Sequence, residues 1–362
     1  MVVNQQYRNV NLSIDVRAAA LLGEMTIQEK AAQLVGVWVS DLINADSQFS
    51  TDQAQAHIAN GAGHISRVGA VSRLPPRLSA NLANTIQRFL VENTRLGVPA
   101  IIHEESCAGY LAKDATTFPQ AIGMAATWEP ELIHKMANVI RMQMRSVGAH
   151  HTLAPVLDVV RDPRWGRIEE TFGEDPFLIS AIGNAYINGV QGDDWTEGIV
   201  ATAKHFLGYG LSEGGLNWAP AHIPERELRE VFVKPFLAAI REANVASVMN
   251  AYQELDGVPA GSSRELMQDL LRDELGFNGV IVSDYFTINM FMDYHRIAAD
   301  KATAARLALE AGIDVELPAA DCYGKPLIDA LENGDIDIQL VDACVERVLR
   351  MKIQLGLLEN PF

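Results

Sequence analysis

Cysteine is nearly absent from this chain: Cys107, Cys322 and Cys344 are the only three in 362 residues, odd in number and far apart. A disulfide framework shows an even, dense set, so these read as buried or idle thiols of a reducing compartment. Positive charge is also scarce. Lys and Arg number 29 against 46 Asp and Glu, a formal net charge of −17. Phosphate and anionic lipid demand cationic surface, so neither nucleic acid nor a membrane is an expected partner. No apolar run reaches the roughly 18 residues a membrane helix needs. The opening MVVNQQYRNV has no basic head followed by an apolar core, so no signal peptide is visible. The chain reads as cytoplasmic, with secretion of a natural precursor left open. Also missing are GxGxxG or GxxxxGK(S/T) after a strand, HExxH, GxSxG and any His/Cys cluster at metal spacing. These gaps lower dinucleotide, metal and serine-triad chemistry. No cofactor and no metal is expected.

What is present is ample apolar material, 48% of the residues, enough for a large core. Short β-branched runs alternate with longer helical periods, the pattern of βα units. Strands are predicted at Ala62–Ser66, Val98–His103, His151–Val156, Val200–His205, Val245–Asn250, Gly279–Asp284 and Ile313–Leu317, with an eighth near Val35–Val39. Helices are predicted between them, among them Ser79–Arg95, Pro130–Ser146, Pro176–Val190, Glu225–Glu242, Arg264–Leu275 and Lys301–Glu310. Asp175 before Pro176 is a strong helix start. The inventory fits an α/β fold of the (β/α)8 TIM-type barrel kind, with an irregular or missing strand allowed, filling residues 1–362 as one domain. A doubly wound sheet is the rival, and it would ordinarily bring a glycine-rich phosphate turn.

A barrel's chemistry gathers at the C-terminal ends of its strands. Those positions hold Glu104-Glu105, the stretch Asp158 to Arg167, Lys204-His205, Met249 with Tyr252, Asp284, and Glu316. Carboxylates, cations and aromatics together suit a neutral polyhydroxylated ligand: charged groups bind hydroxyls while ring faces pack on the pyranose. Asp284 follows GVIVS, a buried-strand pattern, and so projects at a rim. It competes there with a plain role as a turn cap. Arg167 competes with a structural pairing to Glu169 or Glu170. Lys204 at a strand end also fits a Schiff-base lyase, a reading that ranks behind the others. Of the tryptophans, the loop of Trp218 is the one expected to face the pocket, ahead of Trp128 and Trp165.

TTFPQAIGMAATWEPEL, LAPVLDVVRDPRWGRIEETFGEDPFL, ATAKHFLGYG, IPERELREVFVKPF, SVMNAYQELDGVPA and GVIVSDY occur in that order. Together they make the chain resemble glycoside hydrolase family 3, the retaining β-glucosidase and β-xylosidase family, from TIQEKAAQL to LGLLENPF. The resemblance implies an N-terminal-type barrel that hydrolyses terminal non-reducing β-D-glycosidic bonds. Asp284 of SDY matches the nucleophile, with Tyr285 where SDW is commoner. Arg167, Lys204 and His205 match residues holding sugar hydroxyls, and Met249 and Tyr252 match pocket-lining positions. Glu105 of HEESCAGY stands where many relatives carry an Asp gripping remote hydroxyls, and Ala108-Gly109 replaces the usual HG.

Retaining hydrolysis needs a second carboxyl about 5–5.5 Å from the nucleophile. In larger relatives the acid/base comes from an α/β-sandwich domain after the barrel, and the resemblance implies that this chain lacks it. A single-domain branch uses a loop His after KHFPGHG, where this sequence has KHFLGYG with Leu207 and Tyr209. His222 and Glu213 are the nearby residues of suitable type, and neither is assigned the role. The expected partners are β-linked gluco- or xylo-oligosaccharides or aryl glycosides. A separate C-terminal-type domain or a second copy is expected to dock on the rim. A non-catalytic sugar-binding barrel stays as the alternative, with the lyase behind it.

Overall fold

A computed structural model describes residues 5–362. Seven parallel strands follow one another around a curled sheet in chain order: β1 (Gly36–Trp38), β2 (His64–Ser66), β3 (Ile101–Glu104), β4 (His151–Thr152), β5 (Val200–Phe206), β6 (Ser247–Asn250) and, last, β9 (Val280–Val282). Between the last two lies an antiparallel hairpin, β7 (Glu254–Leu255) and β8 (Val258–Pro259). Its turn is Asp256-Gly257, both at positive φ, as a two-residue hairpin turn requires.

The predicted strand at Ile313–Leu317 closes the ring, though it never becomes a ladder. Val315 bridges Val282 and Glu316 bridges Val35, one residue on each side. The Gly36 N–H donates to the Glu316 carbonyl at 2.9 Å and the Ser283 N–H to the Val315 carbonyl at 2.8 Å. An eight-membered barrel with one irregular strand is therefore what the sequence folds into. Gly36 has a packing reason: a Cβ there would lie 2.5 Å from the Pro318 carbonyl oxygen. The β2 ladder likewise starts after Gly63, whose Cβ would meet the Gln33 carbonyl oxygen at 2.1 Å.

Helices surround the sheet and begin where the local chemistry says they should. Thr26 and Glu29 form a reciprocal capping box at Ile27–Gln33, satisfying two free amides. The Asp175 carboxylate accepts from the Phe177 and Leu178 amides ahead of Pro176–Gln191. Pro76–Asn93 buries Leu82, Ala83, Ile86, Phe89 and Leu90, one stripe at helical spacing. Two predicted helices wind more widely than expected. Leu228–Phe232, inside the Glu225–Glu242 prediction, and Glu265–Glu274, inside Arg264–Leu275, are π-helical. Helices absent from the sequence reading include Ile14–Glu24, Thr51–Ile58 and Thr287–Asp293.

Barrel interiors are usually filled with Val, Ile and Leu. Here His64, His103 and His151 stand fully buried on three adjacent strands. The His64 ring centroid lies 5.6 Å from that of His151 and 6.0 Å from that of His103. His103 Nε2 meets the Tyr285 hydroxyl at 2.9 Å, and His151 Nε2 meets Thr202 Oγ1 at 2.6 Å. Neither ring nitrogen of His64 has a hydrogen-bond partner among the described residues. Burial pushes His151 down to about 3 and holds His64 and His103 well below the usual histidine range, so the imidazoles are neutral.

Candidate active site

Asp284 lies two residues past the end of β9 and is 8% exposed. Its Oδ1 is fixed twice, by the Tyr252 hydroxyl at 2.8 Å and by the Tyr285 N–H at 2.7 Å. Its own N–H donates to Asn250 Oδ1 at 3.2 Å, which ties the turn to the end of β6. Oδ2 has no hydrogen-bond partner among the described residues. Burial raises the Asp284 carboxyl above the ordinary aspartate range, while Arg167, Lys204 and the Tyr252 hydroxyl pull it back.

Facing Oδ2 at 3.6 Å is Nε2 of His205, also without a hydrogen-bond partner among the described residues. The other side of that imidazole is held by Asp158. Asp158 Oδ2 takes both the His205 backbone N–H at 3.1 Å and Nδ1 at 2.7 Å. An oxygen that already accepts from a backbone amide makes Nδ1 the protonated nitrogen and leaves Nε2 as a lone pair. Burial, with Arg167 and Lys204 nearby, keeps His205 well below its usual range and therefore neutral. Burial lifts Asp158 to about 7 despite the amide it accepts. By its two bonds Asp158 sets the orientation of His205.

The cations are paired. Lys204 Nζ lies 3.1 Å from Glu105 Oε2, with Lys204 only 4% exposed. Burial and the nearby Arg167 oppose its charge, but Glu105, Cys107 and Asp284 outweigh them, so Lys204 sits above its ordinary range. A Schiff-base lysine needs the opposite shift. Arg167 forms two parallel bonds to Glu170, at 2.9 and 2.7 Å, and its guanidinium lies 5.7 Å from the centre of the Tyr209 ring. The structural pairing foreseen for Arg167 is present, and the same residue still lowers the Asp284 carboxyl.

The site residues read from the sequence thus converge, with Met249 buried on β6 and paired with Val282, two positions before Asp284. Others do not join them. Trp128 is 70% exposed on the surface, and Trp165 is buried against Tyr209. His222 and Glu213, 3.6 Å apart, form a solvent-exposed pair. Glu104 turns away to accept the Gly69 N–H at 2.6 Å, and Glu316 accepts the amides of Asp321, Cys322 and Tyr323. Tyr209, Asn250 and Trp38, whose ring meets Tyr285 edge-on at 5.6 Å, were missed because each acts through a contact distant in sequence. Among the described residues, no group of three His, Cys, Asp or Glu could hold a metal ion.

A ring of parallel strands with carboxylates, paired cations and aromatics at its C-terminal rim is the arrangement of a barrel glycoside hydrolase. The chain belongs to glycosyl hydrolase family 3, whose N terminal domain matches residues 26–351. A putative beta-xylosidase of Formosa agariphila is 36% identical over 99% of this chain and 48% of its own length. A lysosomal beta glucosidase of Dictyostelium discoideum is 31% identical over 99% of this chain and 46% of its own. A solved β-glucosidase from Erythrobacter marinus superposes with a TM-score of 0.91 at 36% identity, covering 99% of this chain and 47% of that one. The beta-glucosidase of Listeria innocua in complex with glucose gives 0.84 at 32% identity, over 96% of this chain and 48% of its own. The chain spans about half the length of the curated relatives it matches.

Proposed function

We propose that Asp284 is the nucleophile in retaining hydrolysis of terminal β-D-glucosides or β-D-xylosides. One observation carries the reading: Asp284 Oδ1 is pinned by two donors while Oδ2 is left unpartnered in a rim flanked by Lys204, Arg167 and His205. Oδ2 bonds to the anomeric carbon as the bond to the leaving oxygen breaks, giving a glycosyl ester. Water then attacks the same carbon, the ester bond breaks and the carboxylate is regenerated. Buried Lys204 and half-buried Arg167 favour the ionised carboxylate and offer donors to the sugar hydroxyls, with Glu105 accepting from them.

The proton for the leaving group is the missing part of this reading. Glu105, Glu170 and Asp158 are already engaged by Lys204, Arg167 and His205. Loss of a general acid costs about 10²–10⁴-fold, but leaving groups of low pKa need none. The reading therefore has this barrel react measurably with activated aryl glycosides and poorly with disaccharides. A separate domain or second copy would supply the acid. Incubation with a 2-deoxy-2-fluoro-β-glycoside followed by peptide mass spectrometry tests it. A sugar ester on Asp284 is expected; no adduct, or one on another residue, refutes it.

A further inference from the structure

At the end of the barrel opposite Asp284, two guanidinium groups share one carboxylate. Asp314 is fully buried on the segment that closes the ring, and its Oδ1 accepts from Arg347 Nε at 2.7 Å. Its Oδ2 accepts from Arg272 Nη2 at 2.8 Å and from the Ile281 N–H at 2.7 Å. Neither guanidinium donates to a second carboxylate among the described residues. Arg272 spends its other bonds on the Gly279 and Gly312 carbonyls, and Arg347 on the Cys344 sulfur. Burial and Asp314 push the Cys344 thiol up to about 12, so it stays neutral. Two positive charges therefore meet one negative charge where little water reaches them, which is costly. Burial and the neighbouring Arg347 accordingly hold Arg272 below its ordinary range.

Arg347 is where that excess reaches solvent. Its side chain is 24% exposed against 9% for Arg272, and its Nη1 donates no hydrogen bond among the described residues. It lines a cleft of about 480 Å³, a volume typical of small-molecule sites. Ala246 and Gly279, which lead into β6 and β9, bound the cleft on one side. One face of the helix Ile338–Gln354 bounds it on another, presenting Arg347, Arg350, Met351 and Gln354 at helical spacing. The charged lining is two arginines against Asp15 alone, in a chain of net charge −17. Arg350 is matched, by Asp15 at 2.7 Å and Glu346 at 3.5 Å. Arg347 is not. Trp195, Ile240, Phe277 and Met351 make the apolar wall, with Asn244 and Asn278 exposed beside it.

We propose that this cleft is a second ligand site, taking a small carboxylate with an apolar body. The carboxylate accepts from Arg347, whose planar fork matches it in shape, and supplies the negative charge that Asp314 alone does not. The body lies against Trp195, Ile240 and Met351, and covering that wall removes apolar surface from water. The amides of Asn244 and Asn278 offer further donors. Arg347 is already fixed by Asp314, so it loses little freedom when the ligand binds. None of these residues belongs to the rim around Asp284, and no step of glycoside hydrolysis runs through them.

Fluorine NMR titration of the chain with 4-fluorobenzoate, and with 4-fluorobenzyl alcohol, which keeps the ring and lacks the charge, tests the site. Saturable binding of the benzoate is expected, tighter than that of the alcohol by about 10-fold. Arg347→Met leaves Asp314 its bond to Arg272 and should weaken the benzoate by about 10-fold with little change for the alcohol. Asn244→Asp sets a carboxylate at the cleft, at an exposed position whose φ of 47° suits Asp as well as Asn. It should weaken the benzoate in the same sense, and it decides the matter if Arg347→Met does not fold. Acetate, which has the charge without the ring, should compete poorly. Selective loss of the benzoate in either folded variant supports the proposal. Benzoate binding unchanged in every folded variant puts that ligand elsewhere, as at Lys204 and Arg167 on the rim, and overturns it. No saturable binding, an alcohol as tight as the benzoate, or acetate as effective a competitor as the benzoate itself overturns it as well.

Discussion

Replacing Tyr252 by Phe keeps the aromatic ring and deletes one hydroxyl, whose 2.8 Å bond to Asp284 Oδ1 is one of two fixing that oxygen. A hydrogen bond to a charged group contributes about 1.5–3 kcal/mol, and about 1.4 kcal/mol corresponds to one pKa unit. The Asp284 carboxyl, already raised by burial, should therefore rise by about one to two further units. Its folded pKa is raised, so the reactive carboxylate exists only above that pKa and is lost as pH falls through it. The acid limb of the pH profile for kcat/KM, which reports the free enzyme, should move upward by the same amount. A series of aryl glycoside rates across the acidic range measures it. An acid limb that stays in place, or moves down, would refute the argument that Tyr252 stabilises the ionised nucleophile.

Asp284→Ala should abolish turnover, and added azide should restore a slow reaction by occupying the face the carboxylate has left. The product would be the α-glycosyl azide; a β-azide, or activity equal to the unaltered chain, would show that the attacking group lies elsewhere. His64→Leu should reduce acid sensitivity. His64 sits among His103, His150, His151 and Lys352, and burial depresses its pKa, so its contribution to stability is full above the unfolded value near 6.5 and lost as pH falls. Integrated from pH 7 to pH 5, that loss is about 2 kcal/mol, which the variant should be spared. Urea unfolding at the two pH values measures it, and an equal effect of the substitution at both would contradict the proton linkage.

Much of the site was legible because the barrel converts order in the chain into position. GVIVSD, ATAKHF and SVMNAY each end a strand, and parallel strands deliver Asp284, Lys204-His205 and Tyr252 to one rim. What the sequence could not show are contacts made across the ring. Asp158 reaches His205 from 47 positions away, and Glu105 reaches Lys204 from 99. The mixed role of Arg167, paired with Glu170 yet acting on Asp284, was visible as a choice between two readings and turned out to include both. Strand limits were overestimated because apolar character continues where pairing stops. His151–Val156 forms a ladder over His151–Thr152 only, and Val156 returns as single bridges to Thr171 and Lys204.

The single-bridge closure at Val315 and Glu316 gives the barrel a seam. Elsewhere, neighbouring strands share ladders of two or more paired residues, whereas this segment joins each edge through one. The segment is held by short runs of backbone bonds, from Asp314, Val315 and Ser283 on the β9 side and from Glu316 and Gly36 on the β1 side, so its amides should exchange sooner than those inside the ladders. The β9 side of the seam runs directly into Asp284. Small excursions there would reach the nucleophile's turn first, and the bonds from Asn250 and Tyr252 are the restraints that keep the carboxylate anchored to the steadier β6 side.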